Sequence, residues 1–134
     1  MATPYQDRKL NDPTPNVGDA PYFEAAKEGK MLIKKCKDCG EYHYYPRGIC
    51  PTCFSTNLEW VPIKGTGTIY TFSITRRSGR IPYCIAYVTL DEGINVMTNI
   101  VDCGDLDDIR IGQKVKLTFK ETANGTKVQA FMPA

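Results

Sequence analysis

The sequence predicts a mainly β chain: one N-terminal helix, a small cysteine-rich ribbon, then a five-stranded antiparallel barrel. Three observations carry this. Cys36-Lys37-Asp38-Cys39 is followed closely by Cys50-Pro51-Thr52-Cys53, giving two Cys-x-x-Cys knuckles. Beyond Asn57 the apolar residues fall in short alternating runs between turn signals, the pattern of half-buried strands. No helical pattern separates those runs, which argues against a parallel sheet with crossover helices.

Composition sets the outer bounds. A chain of 134 residues has room for one modest core and a stapled module, and for little else. Its net charge of +2 is too small for a dedicated nucleic-acid surface. Residues 1–7 show no basic region leading into an apolar run, so no signal peptide is expected. No stretch approaches the roughly 18 apolar residues of a membrane span. Six cysteines without an export signal fit a reducing, cytoplasmic location where thiolates are kept for metal.

Residues 1–18 are polar and carry Pro4, Pro13 and Pro15; without apolar periodicity they read as a flexible arm, or one ordered by a partner. Residues 19–30 read as a short amphipathic helix. Asp19 stands as N-cap, Pro21 lies in the first turn and Gly29 at the stop, each a residue suited to its place. Tyr22, Ala25 and Ala26 share one face with Phe23 beside it.

Residues 31–58 form the ribbon. The two residues inside each knuckle let both thiolates turn toward one point, and two knuckles supply the four sulfurs of a tetrahedral zinc shell. Gly40 follows the first knuckle, where a tight reversal calls for positive φ. Cys36, Cys39, Cys50 and Cys53 are therefore the metal ligands of a rubredoxin-like zinc ribbon, in preference to disulfides or a redox pair. A closed four-sulfur shell leaves no open position, so its zinc is structural. The spacer between the knuckles is crowded with Tyr42, Tyr44 and Tyr45, and His43 is the chain's single histidine. With the shell already filled, His43 is assigned to surface or packing.

Residues 59–134 hold the strands. Trp60–Lys64 reads as the first, with a bend or bulge at Gly65 and Gly67. Thr68–Thr75 places Tyr70, Phe72 and Ile74 on one face, and Arg76-Arg77-Ser78-Gly79-Arg80 is a loop. Tyr83–Leu90 is apolar enough for a central strand, and Ile94–Val101 follows a turn. Residues 102–112 are an acidic connector; Val115, Leu117 and Phe119 alternate with lysines. Asn124-Gly125 is a type I′ hairpin signal leading into Val128–Met132. About five strands with a bulged first pair fit the partly closed Greek-key barrel called the OB fold. A β-sandwich would call for about seven strands.

The order of these parts resembles a known family. A helix containing Tyr22-Phe23-Glu24 leads into the knuckles, Pro46-Arg47 precedes the second, and Leu58-Glu59-Trp60 follows. Gly65-Thr66-Gly67-Thr68, Pro82-Tyr83, Leu90-Asp91-Glu92-Gly93, Thr98-Asn99 and Ile111-Gly112-Gln113 come later. From about residue 20 onward the chain resembles the acyl-CoA-associated zinc-ribbon plus OB-fold proteins, domain of unknown function 35. Within that family the likeness is to small subunits of degradative thiolases, such as those that cleave benzoylsuccinyl-CoA. Members of the family are small partners of thiolase-fold enzymes or of enoyl-CoA-hydratase-like subunits; the resemblance implies here a thiolase-fold large subunit as partner and a CoA thioester shared with it.

The residues themselves suggest no chemistry of the chain's own. A thiolase needs a nucleophilic cysteine, a second cysteine and activating histidines. Outside the knuckles only Cys84 and Cys103 remain, the first in an apolar strand and the second beside Asp102, where a carboxylate raises the thiol pKa. No catalytic residue is assigned, and the chain reads as an accessory subunit of an acyl-CoA enzyme. CoA carries phosphates, adenine and a long arm, so its recognition calls for cations and an apolar ledge. Arg47, Arg76, Arg77 and Arg80 are the candidates for its phosphates, against the plainer reading of a solvated basic face. Tyr44 and Tyr45 either stack adenine or shield the metal. Tyr22, Phe23, Tyr44 and Tyr45 are the candidate partner interface. A competing class, single-stranded nucleic-acid binding, would use Tyr70, Phe72, Tyr83 and Tyr87 as stacking platforms; the low charge and the acidic run at 102–108 weigh against it.

Overall fold

A computed structural model describes residues 2–77 and 79–134; Ser78 of the arginine loop lies outside the described residues. The helix α1 spans Ala20–Lys27. Asp19 stands at its N-cap, but its side chain makes no cap hydrogen bond there. Its carboxylate instead accepts the Asn16 N–H at 3.1 Å, closing the turn that delivers the chain to the helix. Ala26 is the helix's buried residue, as the apolar face required.

Three short strands make the ribbon sheet. β1 (Leu32–Cys36) lies between β2 (Tyr42–His43) and β3 (Leu58–Pro62), both antiparallel to it. The strand read as the first of the barrel thus belongs to the ribbon: Trp60 pairs with Lys34 and Leu58 with Cys36. Pairing along all five residues of β1 holds this segment beside the knuckles although barrel strand β4 is nearer in sequence. Met31 and Ile33, at the root of β1, are buried in the same core as the barrel.

The barrel is closed by β4 (Thr66–Thr75), β5 (Tyr83–Leu90), β6 (Asn95–Ile100), β8 (Lys127–Pro133) and β7 (Lys114–Glu121), in that order. β6 and β8 run parallel and register at Ile100 and Phe131, with Val101 N–H donating to the Phe131 carbonyl at 2.9 Å. Cys84, Ala86, Val88 and Leu90 alternate inward along β5. Val115 is buried on β7, with Leu117 and Phe119 packed beside the core.

Three local readings change. Register shifts between Ile69 and Thr71 on β4, a bulge that turns Tyr70 outward to 61% exposure and separates it from Phe72 and Ile74, which pack on the core. Between β7 and β8, Gly125 N–H donates to the Thr122 carbonyl at 2.9 Å and Thr122 N–H to the Thr126 carbonyl at 2.8 Å. Of Asn124 and Gly125 only the glycine has positive φ, +83°, so the hairpin is a type I turn with a bulge and not type I′. The acidic connector carries a single 3₁₀ turn, Leu106–Asp108, and its Leu106 and Ile109 are fully buried; the aspartates between them face outward and hid two core residues.

The N-terminal segment lies along the barrel. Tyr5 N–H donates to the Gly104 carbonyl at 3.1 Å and Leu106 N–H to the Thr3 carbonyl at 2.9 Å, and the Arg8 guanidinium sits 3.8 Å above the Tyr83 ring centroid. Polar side chains supply the attachment that the apolar pattern could not reveal. No helix among the described residues is long and apolar enough to cross a membrane.

Candidate metal centre and the surfaces around it

The two knuckles bring Cys36, Cys39, Cys50 and Cys53 to one point, all four Sγ atoms lying within 4.8 Å of one another. Cys36 Sγ is 3.5 Å from Cys53 Sγ, and Cys39 Sγ is 3.6 Å from Cys50 Sγ. Those separations fit the edge of a ZnS₄ tetrahedron, about 3.8 Å for Zn–S bonds of about 2.3 Å. They are far longer than the roughly 2.04 Å of a disulfide, and all six cysteines are free.

The backbone repeats itself at each knuckle. Gly40 N–H donates to the Cys36 carbonyl and Phe54 N–H to the Cys50 carbonyl, each at 2.9 Å. Gly40 has φ of +80° and Phe54 has φ of +65°, so a phenylalanine holds the conformation that glycine takes in the first knuckle. N–H groups also aim at sulfur: Cys39 N at Cys36 Sγ, 3.5 Å, and Thr52 N at Cys50 Sγ, 3.4 Å. Such donors favour the thiolate, and Cys50 is held down to about 6, led by the Cys53 amide. Cys39 is pushed up to about 12 against the pull of the Glu41 amide, by burial and the neighbouring sulfurs. Crowded sulfurs retain protons that an arriving cation displaces.

A polar clasp joins the knuckles from outside. Asp38 accepts from the Ser55 hydroxyl, and from Asn57 Nδ2 at 3.1 Å. Asn57 N–H donates to Ser55 Oγ at 3.0 Å. The sequence reading missed these residues; their signal is an aspartate inside one knuckle with Ser and Asn just past the other. His43 is buried outside the sulfur cluster. Burial, with Lys34 and Arg47 nearby, holds its pKa below the usual imidazole range.

The candidate arginines are not gathered in one place. Arg76 is paired with Asp107 and donates to the Thr3 hydroxyl at 3.1 Å. Arg80 shares a cleft with Arg8, Ile81 and Tyr83, while Arg47 is exposed on the ribbon, its carbonyl accepting from Lys34 Nζ at 3.0 Å. The lysines around the first knuckle are also engaged, Lys34 over the Trp60 ring at 4.6 Å and Lys37 with Glu59 at 3.9 Å.

Tyr22, Phe23, Tyr44 and Tyr45 do come together. Ring centroids are 5.1 Å apart for Tyr22 and Phe23, and 6.2 Å for both Tyr22–Tyr44 and Tyr44–Tyr45. They line a cleft of about 400 Å³ with Leu10, Pro13 and residues of β8. Tyr44 accepts from Gln129 Nε2 at 3.3 Å, so this ring joins helix and barrel. Cys84 and Cys103 are buried; burial pushes the Cys84 thiol up to about 12, with Cys103 adding to it.

Comparisons with known proteins agree with both halves of this architecture. The family described as "ChsH2, rubredoxin-like zinc ribbon domain" matches residues 23–59, and "ChsH2, C-terminal OB-fold domain" matches residues 60–120. A DUF35 domain-containing scaffold protein of Methanocaldococcus jannaschii is 36% identical over 70% of this chain and 71% of its own length. Benzoylsuccinyl-CoA thiolase subunit BbsA of Geobacter metallireducens is 32% identical over 72% of this chain and 68% of its own. A probable enoyl-CoA hydratase alpha subunit of Thermomonospora curvata is 32% identical over 91% of this chain, which spans only 39% of that relative. Among solved structures, a chain of the Ltp2-ChsH2(DUF35) aldolase superposes with a TM-score of 0.78 at 32% identity, covering 91% of this chain and 98% of that one. With four cysteines set for one metal ion and a closed five-stranded barrel behind them, the chain belongs to the DUF35 family of ChsH2-type zinc-ribbon and OB-fold proteins.

Proposed function

We propose that this chain is a non-catalytic, zinc-containing accessory subunit of a thiolase-type acyl-CoA enzyme in the cytoplasm. It supports assembly with a thiolase-fold large subunit and helps to seat the CoA thioester in acyl-CoA degradation, aromatic acyl groups included. One observation carries the reading: the likeness to BbsA, a thiolase subunit by name, covers 72% of this chain and 68% of BbsA. The likeness to the Ltp2-ChsH2(DUF35) aldolase chain extends over nearly all of both.

The chemistry of the residues supports a helper role. Four thiols form the metal cluster and the other two are buried with raised pKa values, the opposite of what a nucleophilic cysteine needs. The aromatic cleft at Tyr22, Phe23, Tyr44 and Tyr45 is the proposed partner surface. For CoA phosphates, Arg47, Arg77 and Arg80 are the better candidates, since Arg76 is already neutralised by Asp107. Changing Arg47, Arg77 and Arg80 to alanine should weaken acyl-CoA binding by the complex; unaltered affinity refutes their role.

The decisive experiment is affinity purification from the native host with mass spectrometry of what co-purifies. A large subunit bearing a thiolase active site is the expected companion, and its absence under gentle conditions refutes the proposal. The nucleic-acid reading has Tyr70 and Tyr87 exposed in its favour, but Phe72 packs on the core and Tyr83 lies under Arg8. A salt-dependent gel shift with single-stranded oligonucleotides is expected to be negative.

A further inference from the structure

OB barrels take their ligands on the outer face of the second and third strands, between the loop joining strands one and two and the loop joining strands four and five. Here those strands are β5 and β6, and the loops are residues 76–82 and 122–126. The N-terminal segment contacts both loops and one end of the two strands. Thr3 contacts Arg76 at the first loop. Arg8 stacks on Tyr83 of β5 and donates to Asn99 Oδ1 of β6 at 3.3 Å. Asp12 accepts from Thr122 and Asn124 in the second loop.

We infer that residues 3–12 are an intramolecular ligand of the barrel's binding face, and that this face takes an extended polypeptide of the same pattern, an arginine with one aspartate directly before it and another four residues after it. Two features define the ligand. The segment joins by backbone at Pro4 and Asp105, an antiparallel bridge, with the Tyr5 amide on the Gly104 carbonyl; strand addition of this kind demands an extended chain. It is then held by side chains: Arg8 sits on Tyr83 and Asn99, Asp7 receives Lys120 Nζ at 3.3 Å beside Asp102, which receives it at 2.8 Å, and Asp12 receives the hydroxyl and amide of the second loop. A stacked arginine between two carboxylates five residues apart forms the recognition pattern.

The segment is displaceable. Its ion pair and half of its side-chain hydrogen bonds to the barrel are exposed, and exposed pairs are individually weak. What keeps the face covered is tethering, which gives the segment a millimolar-range effective concentration. Coverage also stops part-way: Ile85, Tyr87 and Met97 on the same two strands line an open groove of about 150 Å³. A longer strand of the same pattern can settle apolar residues on this open end and then replace the resident segment. The inference does not depend on the thiolase reading, because it concerns only how the barrel face is filled.

The test uses the full chain and a fluorescein-labelled synthetic peptide copying residues 3–15. The peptide should bind the full-length Arg8→Ala/Asp12→Ala variant at least tenfold more tightly than the wild type, whose own segment competes. A peptide carrying Asp7→Ala and Asp12→Ala should lose at least tenfold on that same variant. Equal binding to the two proteins, or no binding to the variant at millimolar peptide, overturns the inference. A second measurement needs no variant: in the wild type the Tyr5 amide should exchange at least tenfold more slowly than in the free peptide, and excess peptide should speed it. Exchange at the free-peptide rate overturns the inference even if the variant does not fold.

Discussion

Removing the metal should unfold the ribbon and leave the barrel standing. Between β1 and β3 lie residues 37–57, of which only His43 and Cys50 are buried. Apolar burial there cannot offset the cost of ordering the chain, about 1–2 kcal/mol per residue for the backbone alone, so the sulfur–metal bonds must. Zinc contributes about 10–16 kcal/mol in small zinc modules, while the protection measurable in a native domain is capped near its global stability of about 5–15 kcal/mol. Stripping the metal should therefore lower the opening free energy of the knuckles by about 5 kcal/mol or more, three to four orders of magnitude in exchange rate at roughly 1.4 kcal/mol per decade. Hydrogen exchange before and after chelation gives the readout. The Gly40 and Phe54 amides, bonded to the Cys36 and Cys50 carbonyls at 2.9 Å, should lose protection. The Leu117 and Val101 amides, bonded to the Gly65 and Phe131 carbonyls at 2.7 and 2.9 Å, should keep it. Knuckle amides that stay within tenfold of their metal-bound rates, or a purified chain without stoichiometric zinc, would refute the reasoning.

Other consequences follow from single side chains. Replacing Asp38 with alanine removes the clasp onto Ser55 and Asn57 and should speed zinc loss to a competing chelator by about 10–100-fold, the usual scale for groups that support a metal shell from outside. Gly67→Ala sets a Cβ 2.7 Å from both the Thr89 carbonyl oxygen and Val88 Cγ1. Overpacking of this kind costs about 1–3 kcal/mol; with unfolding entropy near 2.1 cal/mol/K per residue, Tm should fall by about 4–10 °C in a calorimetric scan. Cys84 has its pKa pushed from 9.0 to about 12, so above pH 9 the unfolded thiol ionises while the folded one does not. Its stabilising share is intact below pH 9 and is lost as pH rises toward 12, at about 1.4 kcal/mol per pH unit; urea titrations of Cys84→Ala should lack that slope.

Much of this architecture can be read from residue order because its strongest constraints are local. A Cys-x-x-Cys pair fixes its own geometry, and β5 and β7 announce themselves through alternation that the barrel then buries. What escaped the sequence was relational. Leu58–Pro62 looks like any strand, and only pairing with β1 shows that it closes the ribbon. Tyr70 sits in an unbroken alternating run, and the bulge after Ile69 that turns it outward depends on β5 across the sheet. Leu106 and Ile109 are masked by flanking aspartates, although a single 3₁₀ turn suffices to point both inward. The N-terminal segment has too little apolar content to predict any docking, because polar contacts between residues about a hundred positions apart hold it in place. Of the sites, the metal shell was legible for the same local reason, whereas the Asp38 clasp and the separation of the arginines are products of folding.

The two halves cannot swing independently, and this bears on how such a chain could serve a partner. β1 carries Cys36 at one end and leads back to Ile33 and Met31 in the barrel's core at the other, so the metal shell and the barrel share one continuous strand. β3 returns alongside it through five paired positions and stiffens the stem. The ribbon tip therefore presents Ile49 and Phe54, 52% and 77% exposed, at a fixed position relative to the barrel's exposed Tyr70, Tyr87 and Met97. A non-glycine residue in the left-handed region costs about 1–2 kcal/mol, and Phe54 bears that cost while burying little of its ring. Large exposed apolar side chains on a rigid frame are the usual anchors of an interface, and rigidity spares the ordering cost that flexible surfaces incur on binding. Metal, stem and core thus act together to hold two apolar surfaces at a set separation, which is what a scaffold needs and what a freely hinged ribbon could not provide.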